Sequence, residues 1–385
     1  MIPYGRQVID QADIEAVAAV LQSDYLTQGP VVPRFEAAFA KVVGAVSAVA
    51  VNSATSALHI AYIALGLGPG KRLWTVPNTF VATANAALYC GAEVDFVDID
   101  LSSRCLCIKA LESKLIQASA QGILPDIVVP VHFAGASCDM AAIADLAKQY
   151  GFRVVEDASH AIGAQYQGQA VGNCAYSDIA VFSLHPVKII TSGEGGVATC
   201  RDAGLAERMR LLRSHGITRA LCHKDNPEPW WYEQLDLGFN YRMTDIHAAL
   251  GLSQLGKLAQ FLCRRRALAK RYQRILVDSD IAIPRASEDS AWHLYTVLVD
   301  ADERTTVFQA LRQAGVGVNV HYIPVYWQPY YRQHGFVKGY CPVAEQYYAC
   351  TLSLPLYPNL STVDQDFVVA QLLHCASSLR TASLN

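Results

Sequence analysis

A lysine stands where a short apolar strand should end. Phe182-Ser183-Leu184-His185-Pro186-Val187-Lys188 closes an apolar run at 178–182, and Thr191-Ser192-Gly193-Glu194-Gly195-Gly196 follows it. Burial disfavours an ammonium, so an amine that spends its working life as an imine would suit this position, as would a lysine in an exposed loop after the strand. Val154-Val155-Glu156-Asp157-Ala158-Ser159-His160 brings an acid to the end of a second apolar run. That is the edge at which open α/β sheets bind ligands. A carboxylate buried there needs a cation, and a protonated pyridine nitrogen would serve while acting as an electron sink; the plainer role for Asp157 is a helix N-cap. Asn52-Ser53-Ala54-Thr55-Ser56-Ala57 joins a third apolar run to a helix. Backbone amides and small hydroxyls converge there and suit a phosphate, although simple capping by Ser53 or Thr55 explains the same residues.

These three segments need a scaffold, and the chain supplies one. Short apolar runs at 47–51, 72–76, 93–97, 126–131, 153–156, 178–182 and 196–199 predict seven strands. Helix-period stretches lie between them, as at 53–65 and at 140–149, the latter ended by Gly151. Connections of that length predict crossover helices and a largely parallel sheet. A long helical stretch is expected from 244 to 276, then a smaller α+β unit. In that unit the pattern predicts a strand at 293–299, a helix at 303–314, a strand at 316–322 and a helix at 363–376, with a turn-rich insertion at 323–342. The expected division is a large ligand-binding domain over 1–250 and an interdomain helix with a small domain over 251–385.

Composition narrows the function. The 385 residues are 52% hydrophobic and 17% charged, which excludes a disordered chain. A net charge of -3 leaves no basic footprint, so no nucleic-acid partner is expected. Eleven cysteines, an odd number without repeated spacing, read as reduced thiols rather than as a disulfide or zinc framework, and no metal is expected. Met1-Ile2-Pro3-Tyr4-Gly5-Arg6 does not begin a signal peptide, and no apolar run has membrane-spanning length, which makes the expected compartment the cytoplasm. Gly66-Leu67-Gly68-Pro69-Gly70 is glycine-rich but follows a helix, where a dinucleotide fingerprint must follow a strand, so a nicotinamide oxidoreductase is disfavoured.

Taken together, five segments resemble the fold-type I aminotransferases that use pyridoxal 5′-phosphate, in the branch acting on nucleotide-linked keto sugars. They are the three above together with Pro77-Asn78-Thr79-Phe80-Val81-Ala82-Thr83 and Gly238-Phe239-Asn240-Tyr241-Arg242-Met243-Thr244. The resemblance covers nearly the whole chain. It implies an α/β fold with a mostly parallel seven-stranded sheet in the large domain and a smaller C-terminal α+β domain. It also implies Lys188 as the Schiff-base lysine and Asp157 as the partner of the pyridine nitrogen. Ser53, Ala54, Thr55 and Ser183 would hold the phosphate, Phe80 would stack on the ring, and His160 would sit near it. Asn240 corresponds to a position that reaches the phosphate across a subunit interface, which implies a homodimer with shared active sites. Some relatives carry His at the lysine position and are dehydratases; Lys188 therefore favours transamination.

A narrower resemblance rests on both ends of the chain. It runs through Ile2-Pro3-Tyr4-Gly5-Arg6-Gln7, Ser23-Asp24-Tyr25-Leu26-Thr27-Gln28-Gly29-Pro30, residues 185–191 and Val320-His321-Tyr322-Ile323-Pro324. It implies transfer of an amino group from L-glutamate to C4 of a UDP-linked 4-keto-6-deoxy-N-acetyl hexose, on the route to the nine-carbon sugar acid pseudaminate. Tyr4, Tyr25, Leu26, Thr27, His321 and Tyr322 are then the candidates for the sugar nucleotide's approach. Their aromatic faces and polar tips suit a uracil ring and sugar hydroxyls. The alternatives are another nucleotide-linked keto sugar, or a non-catalytic sugar-nucleotide-binding protein of the same fold, against which the presence of both Asp157 and Lys188 argues.

Overall fold

The computed structural model describes residues 1–219, 228 and 230–383. All seven apolar runs form strands of one sheet. They are β1 (Ser47–Val51), β2 (Arg72–Thr75), β3 (Glu93–Phe96), β4 (Ile127–Val129), β5 (Arg153–Asp157), β6 (Ile179–Ser183) and β7 (Gly196–Cys200). In space they follow the order β1-β7-β6-β5-β4-β2-β3. β2, β3, β4, β5 and β6 pair in parallel, whereas β7 runs antiparallel to both of its neighbours. The reversal has a local cause. Residues 184–195 contain no helix to carry a crossover, so the chain that bears Lys188 loops back directly.

Both faces of the sheet are covered, which is why the strands read as continuous apolar runs rather than as alternation. On one face Val51, Val181 and Ala198 pack with Ala57, Ile60 and Ala61 of the helix Ala54–Ala64. On the other, Ala50, Phe182 and Val197 pack with Phe35 and Phe39 of the helix Val31–Val43. Towards the β3 edge the core continues through Trp74, Phe96 and Phe133 into Tyr326, Tyr331 and Tyr347, so the segment after residue 323 closes over the sheet that holds the ligand-binding edge.

Two expectations in the C-terminal half need correction. The helical stretch from 244 is two helices, Asp245–Gly256 and Leu258–Leu276. Lys257 sits at the break, and its amine bonds Asp10 at 2.7 Å and Asp13 at 2.6 Å. The strand expected at 316–322 does not form either. The small sheet instead pairs β8 (Tyr295–Leu298) with β9 (Thr351–Leu354), antiparallel. Val316 and Val318 are buried as the alternation suggested, but the segment makes only single bridges, Ile2 to Val316 and Asn319 to Ser353. Gly317 lets the N-terminal backbone lie close, since a Cβ there would meet the Ile2 carbonyl oxygen at 2.8 Å. Residues 319–322 line a cavity rather than extending a sheet. The helices Arg304–Gln313 and Thr362–Ser383 complete the unit. Among the described residues no helix is long and apolar enough to cross a membrane.

Candidate active site

The carboxyl ends of β1, β5 and β6 open onto one cavity of about 560 Å³. Ser53, Ala54, Thr55, Phe80, Asp157, His160, Ser183 and Lys188 all line it, and Tyr4, His321 and Tyr322 close it from the N-terminal and C-terminal segments. The β1 side is a helix N-terminus. Ser53 is extended and caps the helix Ala54–Ala64 by accepting from the Ser56 N–H at 3.1 Å. The remaining first-turn amides have no intrahelical acceptor, which makes this end an anion cradle. Gly196 at the start of β7 permits the close approach: a Cβ there would lie 2.4 Å from the Ser53 carbonyl carbon and oxygen.

Lys188 follows β6. Burial lowers its pKa to about 8, against the opposing pull of the Asp157 carboxylate. A neutral amine is therefore accessible just above neutral pH, where an exposed lysine would be protonated. The rate at which cofactor-free protein captures an aldehyde at Lys188 is expected to rise with pH through a midpoint near 8 and to level off above it, measured by stopped-flow absorbance. A midpoint near the ordinary lysine value would show the amine to be solvated.

Asp157 is 5% exposed and is held on both oxygens. Thr83 Oγ1 donates to Oδ2 at 2.7 Å, and the Ser159 N–H donates to Oδ1 at 3.1 Å. Its backbone is fixed as well, with its N–H donating to Pro130 O and its carbonyl accepting from the His132 N–H. Three buried histidines complete the wall. Burial, reinforced by nearby Lys188, holds His160 and His293 well below the usual histidine range and takes His321 to about 3. They are neutral hydrogen-bonding groups at pH 7. His160 Nδ1 accepts from the Ala134 N–H at 3.3 Å, which puts the ring proton on Nε2, 3.2 Å from the Tyr322 hydroxyl.

The cavity combines an anion cradle, an amine of lowered pKa, a buried carboxylate and the ring of Phe80, which is 62% exposed. The family profile of the DegT/DnrJ/EryC1/StrS aminotransferases matches residues 7–373. The chain belongs to this family. It is 39% identical over 378 residues to the spore coat polysaccharide biosynthesis protein SpsC of Bacillus subtilis, covering 96% of this chain and 95% of that one. It is 38% identical over 378 residues to the UDP-4-amino-4,6-dideoxy-N-acetyl-beta-L-altrosamine transaminase of Campylobacter jejuni, covering 96% of each. Helicobacter pylori PseC, an aminotransferase involved in the biosynthesis of pseudoaminic acid, superposes with a TM-score of 0.89 at 31% identity, over 98% of this chain and 99% of that one. The PLP-form of the sugar aminotransferase Spr1654 from Streptococcus pneumoniae gives 0.88 at 28% identity, over 98% and 99%.

The DegT-family chain is thus a fold-type I aminotransferase that uses pyridoxal 5′-phosphate. The donor set in its cavity fits that group: amides and hydroxyls for a phosphate, a carboxylate for a ring nitrogen, an aromatic face for the ring and an amine for the aldehyde. Four sequence candidates lie elsewhere within the single chain. Tyr25 lines a separate cavity of about 570 Å³ with Arg34 and Asp245, Leu26 is exposed beside it, and Thr27 bridges to Thr244. Asn240 is exposed and bridges to Ser214. Conversely, Thr79, Thr83, Ser159 and His293 line the cavity without having been singled out. Thr79 and Thr83 flank Phe80 in sequence, but Thr79 precedes the helix Ala82–Tyr89, so helical spacing does not reveal the pair.

Proposed function

We propose that this aminotransferase moves the amino group of L-glutamate to C4 of a UDP-linked 4-keto-6-deoxy-N-acetyl hexose, in a pathway of the pseudaminate type. The observation that carries the reading is the joint placement of Lys188 and Asp157 in a cavity whose other wall is Tyr4, His321 and Tyr322. The names of the Campylobacter relative and of PseC support this sugar. SpsC is similar to the same degree under a name that prints no sugar, so identity alone does not choose among substrates and the alternative remains another nucleotide-linked keto sugar. A non-catalytic protein of this fold would lack the borohydride-sensitive visible absorbance expected of the purified protein.

In this reading Ser53, Ala54, Thr55 and Ser183 would bind the phosphate, Phe80 would cover one ring face, and the neutral His160, hydrogen-bonded to the Tyr322 hydroxyl, would sit near the ring. When bound, pyridoxal 5′-phosphate supplies the electron sink that lets a proton leave the amino-bearing carbon. Lys188 Nζ takes that proton and returns it, in the donor half-reaction and again with the keto sugar. Asp157 would accept the hydrogen bond of the ring nitrogen. Asn240, exposed in the single chain, would reach the phosphate of a second copy, and Tyr25, Leu26 and Thr27 would meet the sugar nucleotide where two chains adjoin. The assembly is then a homodimer, placed in the cytoplasm.

Tyr322→Ala and Thr27→Ala are each expected to raise the apparent KM for the sugar nucleotide about tenfold, the loss of one good hydrogen bond. The glutamate half-reaction, followed by the cofactor spectrum, should stay nearly unchanged. A parallel fall of both half-reactions would place these residues in the support of the cofactor instead.

A further inference from the structure

The Asp157 carboxylate is the end of a buried hydroxyl chain. Thr83 Oγ1 lies 2.7 Å from Asp157 Oδ2, and Thr79 Oγ1 lies 3.0 Å from Thr83 Oγ1. Thr83 is 1% exposed and Thr79 4%. A hydroxyl has one hydrogen to give and an ionised carboxylate has none, so the direction is fixed: Thr79 donates to Thr83, and Thr83 donates to Asp157. Each bond polarises the next in such a chain, and a bond that ends on a charge is among the stronger kinds. The nearest competitor for the Thr83 hydrogen, the Phe80 carbonyl, stands at 3.4 Å.

Thr83 is itself held in place. It lies in the first turn of the helix Ala82–Tyr89, and its carbonyl accepts the Tyr62 hydroxyl at 3.1 Å from the helix Ala54–Ala64. One short segment therefore supplies both the exposed face of Phe80 and the donor that orients the carboxylate. We propose that Thr83 is a positioning residue for the transamination, fixing the Asp157 carboxylate in the orientation that engages the pyridine nitrogen of the cofactor, with Thr79 steadying its hydroxyl. The inference rests on the reading of Asp157 as the partner of that nitrogen.

A double-mutant cycle separates the two. Thr83→Val, Thr83→Ser, Asp157→Asn and Thr83→Val/Asp157→Asn would be compared for pyridoxal 5′-phosphate affinity, by absorbance titration of the apo-protein, for kcat and KM, and for the apo melting temperature. Thr83→Val is expected to weaken cofactor binding about tenfold and to lower kcat about 10- to 100-fold, with the KM for glutamate within about threefold. Thr83→Ser, which keeps the hydroxyl, should restore both to within about threefold. In the Asp157→Asn background Thr83→Val should change cofactor affinity less than about twofold, since the group it acts through is already altered.

Equal losses in both backgrounds, a silent Thr83→Val, or a Thr83→Ser as impaired as the valine would overturn the proposal. If Thr83→Val lowers the apo melting temperature, Thr79→Val takes its place, with an expected threefold loss of affinity that again vanishes beside Asp157→Asn; a loss that persists there overturns the proposal. An Asp157→Asn protein that binds and turns over normally would refute the reading of Asp157, and this inference with it. A crippled Asp157→Asn beside a silent Thr83→Val refutes the inference alone.

Discussion

Lys188→Ala is expected to abolish transamination while leaving the protein folded. On the proposed assignment the residue has two duties that no neighbour can assume: its amine would be the nucleophile for the cofactor aldehyde and the base at the substrate carbon. General acid–base catalysis by a positioned side chain is worth about 10²- to 10⁴-fold, and losing the covalent attachment adds to that, so turnover should fall by about four orders of magnitude or more. Folding should not suffer, because the amine is a desolvated group with lowered pKa and the Asp157 carboxylate keeps its hydrogen bonds from Thr83 and Ser159. Borohydride reduction of the wild-type holoenzyme followed by peptide mapping should find the cofactor on the peptide that contains Lys188. Attachment to another lysine would refute the assignment.

Asp157→Asn should be the second most damaging change. Asparagine keeps the shape, but its single oxygen can accept from only one of Thr83 and Ser159, and it removes the charge that holds a ring nitrogen protonated. Several kcal/mol of electrostatic stabilisation correspond to about a thousandfold in turnover, with a smaller loss of cofactor binding. The same substitution has a second consequence. The Asp157 carboxylate supports the protonated form of Lys188, so without it the amine's pKa should move further below about 8. The midpoint for aldehyde capture by the apo-protein would shift to lower pH. Near-normal turnover with an unmoved midpoint would place the ring's partner elsewhere.

Why some of this architecture was legible in the sequence and some was not follows from particular residues. The seven strands of the large sheet could be read because both faces are covered, so β1, β6 and β7 have no polar face to blur the pattern. β9 was missed for the opposite reason. Thr351 and Ser353 are polar in type yet fully buried, their hydroxyls satisfied by Tyr347 and His321. The segment at 316–322 carries strand-like alternation, but Gly317 is used for close packing against the N-terminus and the rest turns to the cavity. The break at Lys257 depends on Asp10 and Asp13, more than 240 positions away in the sequence, which local periodicity does not register.

The candidate site divides in the same way. Asp157 and Ser183 at strand ends, Ser53 at a helix N-cap and Lys188 in the loop after β6 converge in one cavity. Thr83 is recognisable only once its partner's position is known. On the proposed homodimer, Tyr25, Leu26, Thr27 and Asn240 would depend on what a second chain brings to them.

The central claim is tested most directly by offering the holoenzyme ¹⁵N-labelled L-glutamate and a purified UDP-linked 4-keto-6-deoxy-N-acetyl hexose, and following the sugar nucleotide by mass spectrometry. The account predicts a UDP-amino sugar carrying the label, formed with 2-oxoglutarate. Recovery of the unchanged keto sugar, under conditions in which another nucleotide-linked keto sugar is aminated, would contradict the substrate assignment.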